Sequence, residues 1–233
     1  MKFKSDVKGK KMSIKAAMPV LSPTSSFSMT EAFKAIRTNL IFALASQNSR
    51  VVLITSSLPG EGKTTSSINL AISMALMGAK VLLIDADLRK PMVHKALNTK
   101  NDLGLSGVLG GFCKLQKALQ YEVEENLDVL TSGAIPPNPA ELLSSGGMIN
   151  ILDYCKGNYD YIFIDTPPVN VVADALALAP LVSGVLLVVK EGKTLHPELK
   201  KAISGIEFTG TKILGVVLNA SQSNAKKGYR YKY

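Results

Sequence analysis

Six short apolar runs recur along the chain, each closed by a turn: "VVLIT" (51–55), "KVLLID" (80–85), "LDVL" (127–130), "YIFID" (161–165), "GVLLVV" (184–189) and "KILGVVL" (212–218). Runs this short and this continuously apolar are strands covered on both faces. Helical patterns at 64–77, 139–156, 172–180 and 196–207 lie between them and supply the crossovers. Such alternation predicts an α/β fold, a mostly parallel sheet flanked by helices on both faces. A further helix is expected from Met29, with Thr30 as its cap and Phe33, Ile36, Leu40, Ile41 and Leu44 along one face. No internal repeat interrupts this plan.

With 233 residues, 46% of them hydrophobic, the chain can fill one sizeable core. Its expected organisation is a flexible basic segment over 1–28, a single domain over 29–221, and a tyrosine-rich tail over 222–233. The apolar runs are far too short to cross a bilayer. No apolar stretch follows the basic N-terminus, so a cytoplasmic protein is expected. Cys113 and Cys155 stand apart from each other and from any histidine, as reduced thiols would.

The net charge of +9 sits at the two ends. Residues 1–15 carry six lysines and one aspartate, and residues 226–233 carry three lysines and one arginine. The remainder balances 17 basic against 17 acidic residues. A basic end suits an anionic lipid surface or a nucleic acid, and equally keeps a disordered segment soluble.

The first strand runs directly into "SSLPGEGKTTSS" and a helix. This is close to the phosphate-loop pattern GxxxxGK[ST], with Ser57 in place of the first glycine, then Pro59, Gly60, Glu61, Gly62, Lys63, Thr64 and Thr65. The glycines let successive amides turn toward phosphate oxygens, and the helix that follows adds its positive end. Lys63 can bridge the β- and γ-phosphates, and the Thr64 hydroxyl can ligate Mg²⁺. A dinucleotide fingerprint fails, because its last glycine would fall where Thr65 stands. The chemistry read from these residues is nucleoside triphosphate binding.

Two other strands end in acids. "KVLLIDADLRKP" places Asp85 at a strand terminus and Asp87 two residues on, and "YDYIFIDTPP" places Asp165 at another. Carboxyl strand ends of an open parallel sheet converge on the ligand crevice. Three carboxylates gathered there require a balancing cation, and triphosphate-bound Mg²⁺ is the natural one.

Together these stretches resemble the bacterial tyrosine kinases, above all the stand-alone cytoplasmic kinases of capsular and exopolysaccharide clusters. The resemblance spans roughly residues 29–233. It takes in the phosphate loop, "LLIDADLRKP", "YIFIDTPP", "GAIPPNPAELL" (133–143), "GVVLN" and the tyrosine-rich end. The wider P-loop NTPase superfamily also holds septum-site and partitioning ATPases, the alternative reading. Many of those carry a signature lysine where this chain has Leu58, and their membrane-seeking terminal helix has no counterpart in "SNAKKGYRYKY".

The resemblance implies an ATP- and Mg²⁺-dependent protein-tyrosine kinase that phosphorylates its own tail in trans. Lys63 would contact the phosphates, while Thr64, Asp87 and Asp165 would hold the metal. Asp85 would accept the tyrosine proton, and Arg89 and Asn219 would lie by the nucleotide. Tyr229, Tyr231 and Tyr233 would be the phosphoacceptors. Glu31, Lys34 and Arg37 match a ring-forming ExxRxxR motif except for the central lysine, which lacks arginine's bidentate fork. It further implies a transmembrane activator with a cytoplasmic tail, recruitment to the inner face of the membrane, a cognate tyrosine phosphatase and no nucleic acid partner. His94 and His196 are read as structural.

Overall fold

The computed structural model describes residues 18–47 and 49–221. Residues 1–17, Asn48 and 222–233, with the three tail tyrosines, lie outside the described residues. Among the described residues seven strands form one sheet: β1 Val51–Ser56, β2 Val81–Asp85, β3 Leu119–Glu124, β4 Leu127–Leu130, β5 Tyr161–Asp165, β6 Gly184–Lys190 and β7 Ile213–Asn219. Their spatial order is β3-β4-β2-β5-β1-β6-β7, parallel throughout except for β3 against β4. Among the described residues nine α-helices surround the sheet: α1 Phe27–Ala43, α2 Lys63–Ala75, α3 Val93–Ala96, α4 Leu105–Leu109, α5 Leu115–Ala118, α6 Pro139–Leu143, α7 Gly146–Lys156, α8 Asp174–Leu178 and α9 His196–Phe208.

Strand side chains alternate between two cores, as the two-residue period of a pleat requires. Val52, Ile54, Leu83 and Phe163 face α1 and α2 on one side. Leu53, Ile84, Ile164 and Leu187 face α7, α8 and α9 on the other. Both sets are buried, so the runs read as uniformly apolar. β7 departs from this rule: it is an edge strand, and Val216 and Leu218 are about half exposed, at 48% and 54%. Within these bounds Cys113 and Cys155 are both free thiols.

Three local features differ from the sequence expectation. The helix expected to start at Met29 begins at Phe27, and its cap is Ser26, whose hydroxyl accepts from the Met29 amide at 3.3 Å. The Thr30 hydroxyl instead bonds back to the Ser26 carbonyl at 3.2 Å. The helix expected over 139–156 is two helices, because Ser144 bonds its own turn and "SSGG" resists a helical backbone. Strand β3 went unread because "LQYEVE" is largely exposed and has no apolar run.

The lead-in to α1 is held down. The Leu21 amide donates to Asn69 Oδ1 at 2.7 Å, the Asn69 amide donates to the Pro19 carbonyl at 2.8 Å, and the Leu21 side chain is buried against α2. Loss of the observed cap separates the two candidates: Ser26→Ala is expected to destabilise by about 1 kcal/mol and Thr30→Ala by a few tenths at most. Urea denaturation midpoints of the two variants measure this directly.

Candidate active site

Strand register assembles the site. In the β2–β5 ladder Asp85 pairs with Asp165, and in the β1–β5 ladder Asp165 pairs with Ile54, two residues before β1 ends. The phosphate loop therefore leaves the sheet at the level where the two acids arrive. Gly62 ends the loop with φ +95 and caps α2 without a side chain, leaving the first amides of α2 open to an anion. No other residue fits there. A Cβ at Gly62 would stand 2.0 Å from Asn219 Nδ2, in a conformation that side chains avoid.

A cavity of about 350 Å³ opens over this loop. Pro59, Gly60, Gly62, Lys63, Thr64 and Thr65 line it, as do Asp87 and Arg89. Met18, Met92 and Val171 form an apolar flank that the sequence did not announce. A larger hollow, about 670 Å³, lies elsewhere, between α1, the end of α2 and the β3–β4 turn. It holds none of the phosphate-loop residues.

One ammonium and three carboxyl groups dominate the electrostatics. Lys63 Nζ donates to Asp87 Oδ2 at 2.8 Å and lies 3.5 Å from Asp165 Oδ2. The hydroxyls of Thr64 and Ser67 donate to the two oxygens of Asp165 at 2.7 and 2.9 Å. Burial works against the Lys63 charge, but Asp165 and Asp87 outweigh it and hold its pKa above the usual value. Asp85 is fully buried and accepts from the Asp87 and Val93 amides at 3.2 and 3.1 Å. Burial, and then the nearby charge of Asp165, push its carboxyl up to about 7, against the Val93 amide and Lys63. One cation of the cluster is supplied by the chain itself. Lys63 pairs with Asp87 and Asp165, while burial shifts the carboxyls of Asp85 and Asp165 alike toward their neutral forms. Among the described residues no group of three or more acids, histidines or cysteines forms a metal cage.

Other candidates occupy defined places. Arg89 forms a two-pronged ion pair with the buried Asp174 of α8, at 2.8 and 2.9 Å, while still lining the cavity. Asn219 donates to the Glu61 carbonyl at 2.9 Å, so the end of β7 touches the phosphate loop. Glu61 turns its buried carboxylate away from the cavity, accepting from the Leu58 amide at 2.8 Å and from the Thr194 hydroxyl. Lys193 bonds the Pro59 carbonyl from the same turn. Ser57 is fully buried with an unpaired hydroxyl and does not reach the cavity. Sequence reasoning missed Ser67, Asp174 and Thr194, of which only Ser67, one helical turn after Lys63, carried a readable signal. On α1, Lys34 pairs with Glu31 at 2.8 Å in solvent, whereas Arg37 donates to the Ser73 carbonyl of α2 at 2.7 Å.

The Asp85 shift predicts a pH dependence. Its folded pKa lies above the ordinary 3.8, so the fold retains a proton that the unfolded chain releases. Stability therefore falls as pH rises through the window from about 4 to 7, and the loss is complete above it. Asp165, raised by burial too, acts in the same direction, whereas the stability from Lys63 is constant through that window and is lost only above about pH 10. The nucleotide-free protein is expected to melt higher at pH 5.5 than at pH 8, and Asp85→Asn to reduce that difference. An equally steep profile in the variant, read by scanning fluorimetry, would reject the assignment.

The chain is similar to proteins of known kind. The AAA-domain family profile matches residues 49–206. The tyrosine-protein kinase YwqD of Bacillus subtilis (strain 168) is 44% identical over 202 residues, which are 87% of this chain and 85% of that one. The kinase domain of the Escherichia coli tyrosine kinase ETK superposes with a TM-score of 0.81 at 37% identity, over 88% of this chain and 80% of the other. The cell division ATPase MinD of Pyrococcus furiosus shares the fold less closely, with a TM-score of 0.63 at 27% identity over 73% and 71% of the two chains. With its phosphate loop, paired strand-end acids and this degree of likeness, the chain belongs to the bacterial tyrosine-protein kinase family.

Proposed function

We propose that the protein transfers the γ-phosphate of ATP to Tyr229, Tyr231 and Tyr233 in the tail of a neighbouring copy. The observation that carries this reading is the Lys63 ammonium held between Asp87 and Asp165 beneath an open helix start. The donors around it are all oxygens, and a cation already sits among them, which fits a hard divalent ion. Thr64, Asp87 and Asp165 would hold Mg²⁺, which would supply charge neutralisation at the transferring phosphoryl group. Lys63 would exchange Asp87 for phosphate oxygens, and the first amides of α2 would orient them. A free phenol has a pKa of about 10, so it must lose its proton as the new bond forms. Asp85, with a carboxyl near 7, matches that task, and catalytic contacts commonly tighten only in the complex.

The oligomeric part of the proposal rests on the α1 surface. Glu31 and Lys34 are solvent-facing, and the hollow beside them sets Lys34 and Arg37 opposite Glu124 and Glu125. A neighbouring subunit seated there would form a ring. A transmembrane activator would recruit the kinase to the inner face of the membrane, a tyrosine phosphatase would reset the tail, and the cycle would govern capsular or exopolysaccharide export. Among the described residues no helix is long and apolar enough to cross a membrane.

Intact-mass spectrometry after incubation with ATP, Mg²⁺ and an activator segment tests the transfer. Up to three added phosphates on the tail tyrosines are expected, and none in Lys63→Met. ATP consumed with no tyrosine modified would favour a positioning ATPase instead. A second expectation concerns the brace behind the loop. Thr194→Val leaves the buried Glu61 carboxylate one donor short, a loss of about 1.5 kcal/mol, or roughly tenfold in ATP affinity. Thr194→Ser should retain wild-type affinity, as titration with a fluorescent ATP analogue would show.

A further inference from the structure

The nucleotide cavity has a neighbour. Arg89, Lys90 and Met92 line both it and an adjoining open groove of about 510 Å³, so the two share a wall. The groove runs past Lys95 to a far wall of Gly133, Ala134 and Ile135. Both walls are pinned. The Lys90 amide donates to Asp87 at 3.0 Å and the Val93 amide donates to Asp85 at 3.1 Å. The Asn101 side chain clasps Gly133 through its amide and carbonyl, at 2.9 and 3.0 Å.

Its charge is one-sided. Arg89, Lys90 and Lys95 line it, and no aspartate or glutamate does. Arg89 is matched by Asp174, whereas Lys90 and Lys95 stand in no ion pair among the described residues. Ile135, 64% exposed, adds an apolar contact at the far end.

We propose that this groove binds the stretch of a protein substrate flanking the reacting tyrosine, and that Lys90 and Lys95 select segments of other proteins with acidic residues there. The proposal rests on the kinase reading and adds its substrate class. The protein's own tail is the opposite of what the groove complements, since residues 226–233 carry three lysines, one arginine and no acid. A tail presented by a neighbouring subunit needs little affinity, because tethering supplies a high effective concentration. A free protein substrate has no such advantage and depends on groove contacts. Lysines along the groove raise its encounter rate, more strongly at low salt.

The test uses the full-length protein and synthetic peptides with one tyrosine flanked by glutamates, serines or lysines. The glutamate peptide is expected to show a KM about tenfold below that of the lysine peptide, narrowing at high salt. Lys95→Glu should cut this preference several-fold while leaving tail phosphorylation unchanged, and Lys90→Glu combined with Lys95→Glu should reverse it. Fluorescence anisotropy with a labelled glutamate-flanked peptide carrying phenylalanine for tyrosine reads the groove without any phosphoryl transfer, so a failure of the kinase reading and a failure of the groove are told apart. Equal binding of glutamate- and lysine-flanked peptides, or a preference that survives Lys95→Glu, would overturn the proposal. So would displacement of the peptide by a short single-stranded oligonucleotide at lower concentration than by an unlabelled glutamate peptide, which would assign the groove to nucleic acid.

Discussion

Three carboxyl groups and one ammonium, packed together at the end of a buried sheet, set the terms for everything around them. Charges in such surroundings persist only when paired and hydrogen-bonded. The chain meets that condition with Lys63 against Asp87 and Asp165, with the Thr64 and Ser67 hydroxyls on Asp165, and with backbone amides on Asp85. The partners come from three places: Lys63, Thr64 and Ser67 from α2, Asp85 and Asp87 from the end of β2 and the turn after it, and Asp165 from β5. The electrostatic cluster therefore fixes how the elements meet. A shift of one residue in the β2–β5 register would move Asp85 away from Asp165 and turn one of them into the opposite core.

The phosphate loop is held from two sides. In front it faces the cavity through Lys63 and the open amides of α2. Behind it, Glu61 reaches the Leu58 amide and Thr194, Lys193 reaches Pro59, and Asn219 reaches Glu61. Glu61 is thus a loop residue with a core residue's environment. A glycine-rich segment gains the shape needed for phosphate only when its freedom is removed elsewhere, and here the β6–α9 turn and the end of β7 remove it.

Much of this was legible from the residues. Strands buried on both faces announce themselves as apolar runs, and five of the six predicted runs are strands of that kind. The phosphate loop and the strand-end acids followed from spacing alone. What escaped was written in tertiary contacts. Strand β3 is polar because it is an edge, and "KILGVVL" is apolar although β7 is an edge too. Thr194 and Asp174 are 133 and 85 residues from their partners Glu61 and Arg89, a pairing that no local pattern encodes. Arg37 fits a surface motif by spacing, yet its guanidinium reaches across to the Ser73 carbonyl, one of the last-turn carbonyls of α2 that lack a helical partner. The pairing of carboxylates with Lys63 was likewise hidden, since a loop lysine reads as a phosphate ligand and not as a counter-ion.

β7 ends at Asn219, and the same residue holds the carbonyl of Glu61. Ala220 follows in a left-handed conformation, its amide bonded to Asn219 Oδ1. The root of the tail and the floor beneath the nucleotide are consequently one mechanical joint. A displacement of Asn219 would pull directly on the Glu61 carbonyl and so on the curl of the phosphate loop. The strand that closes this edge of the sheet is also the latch of the loop.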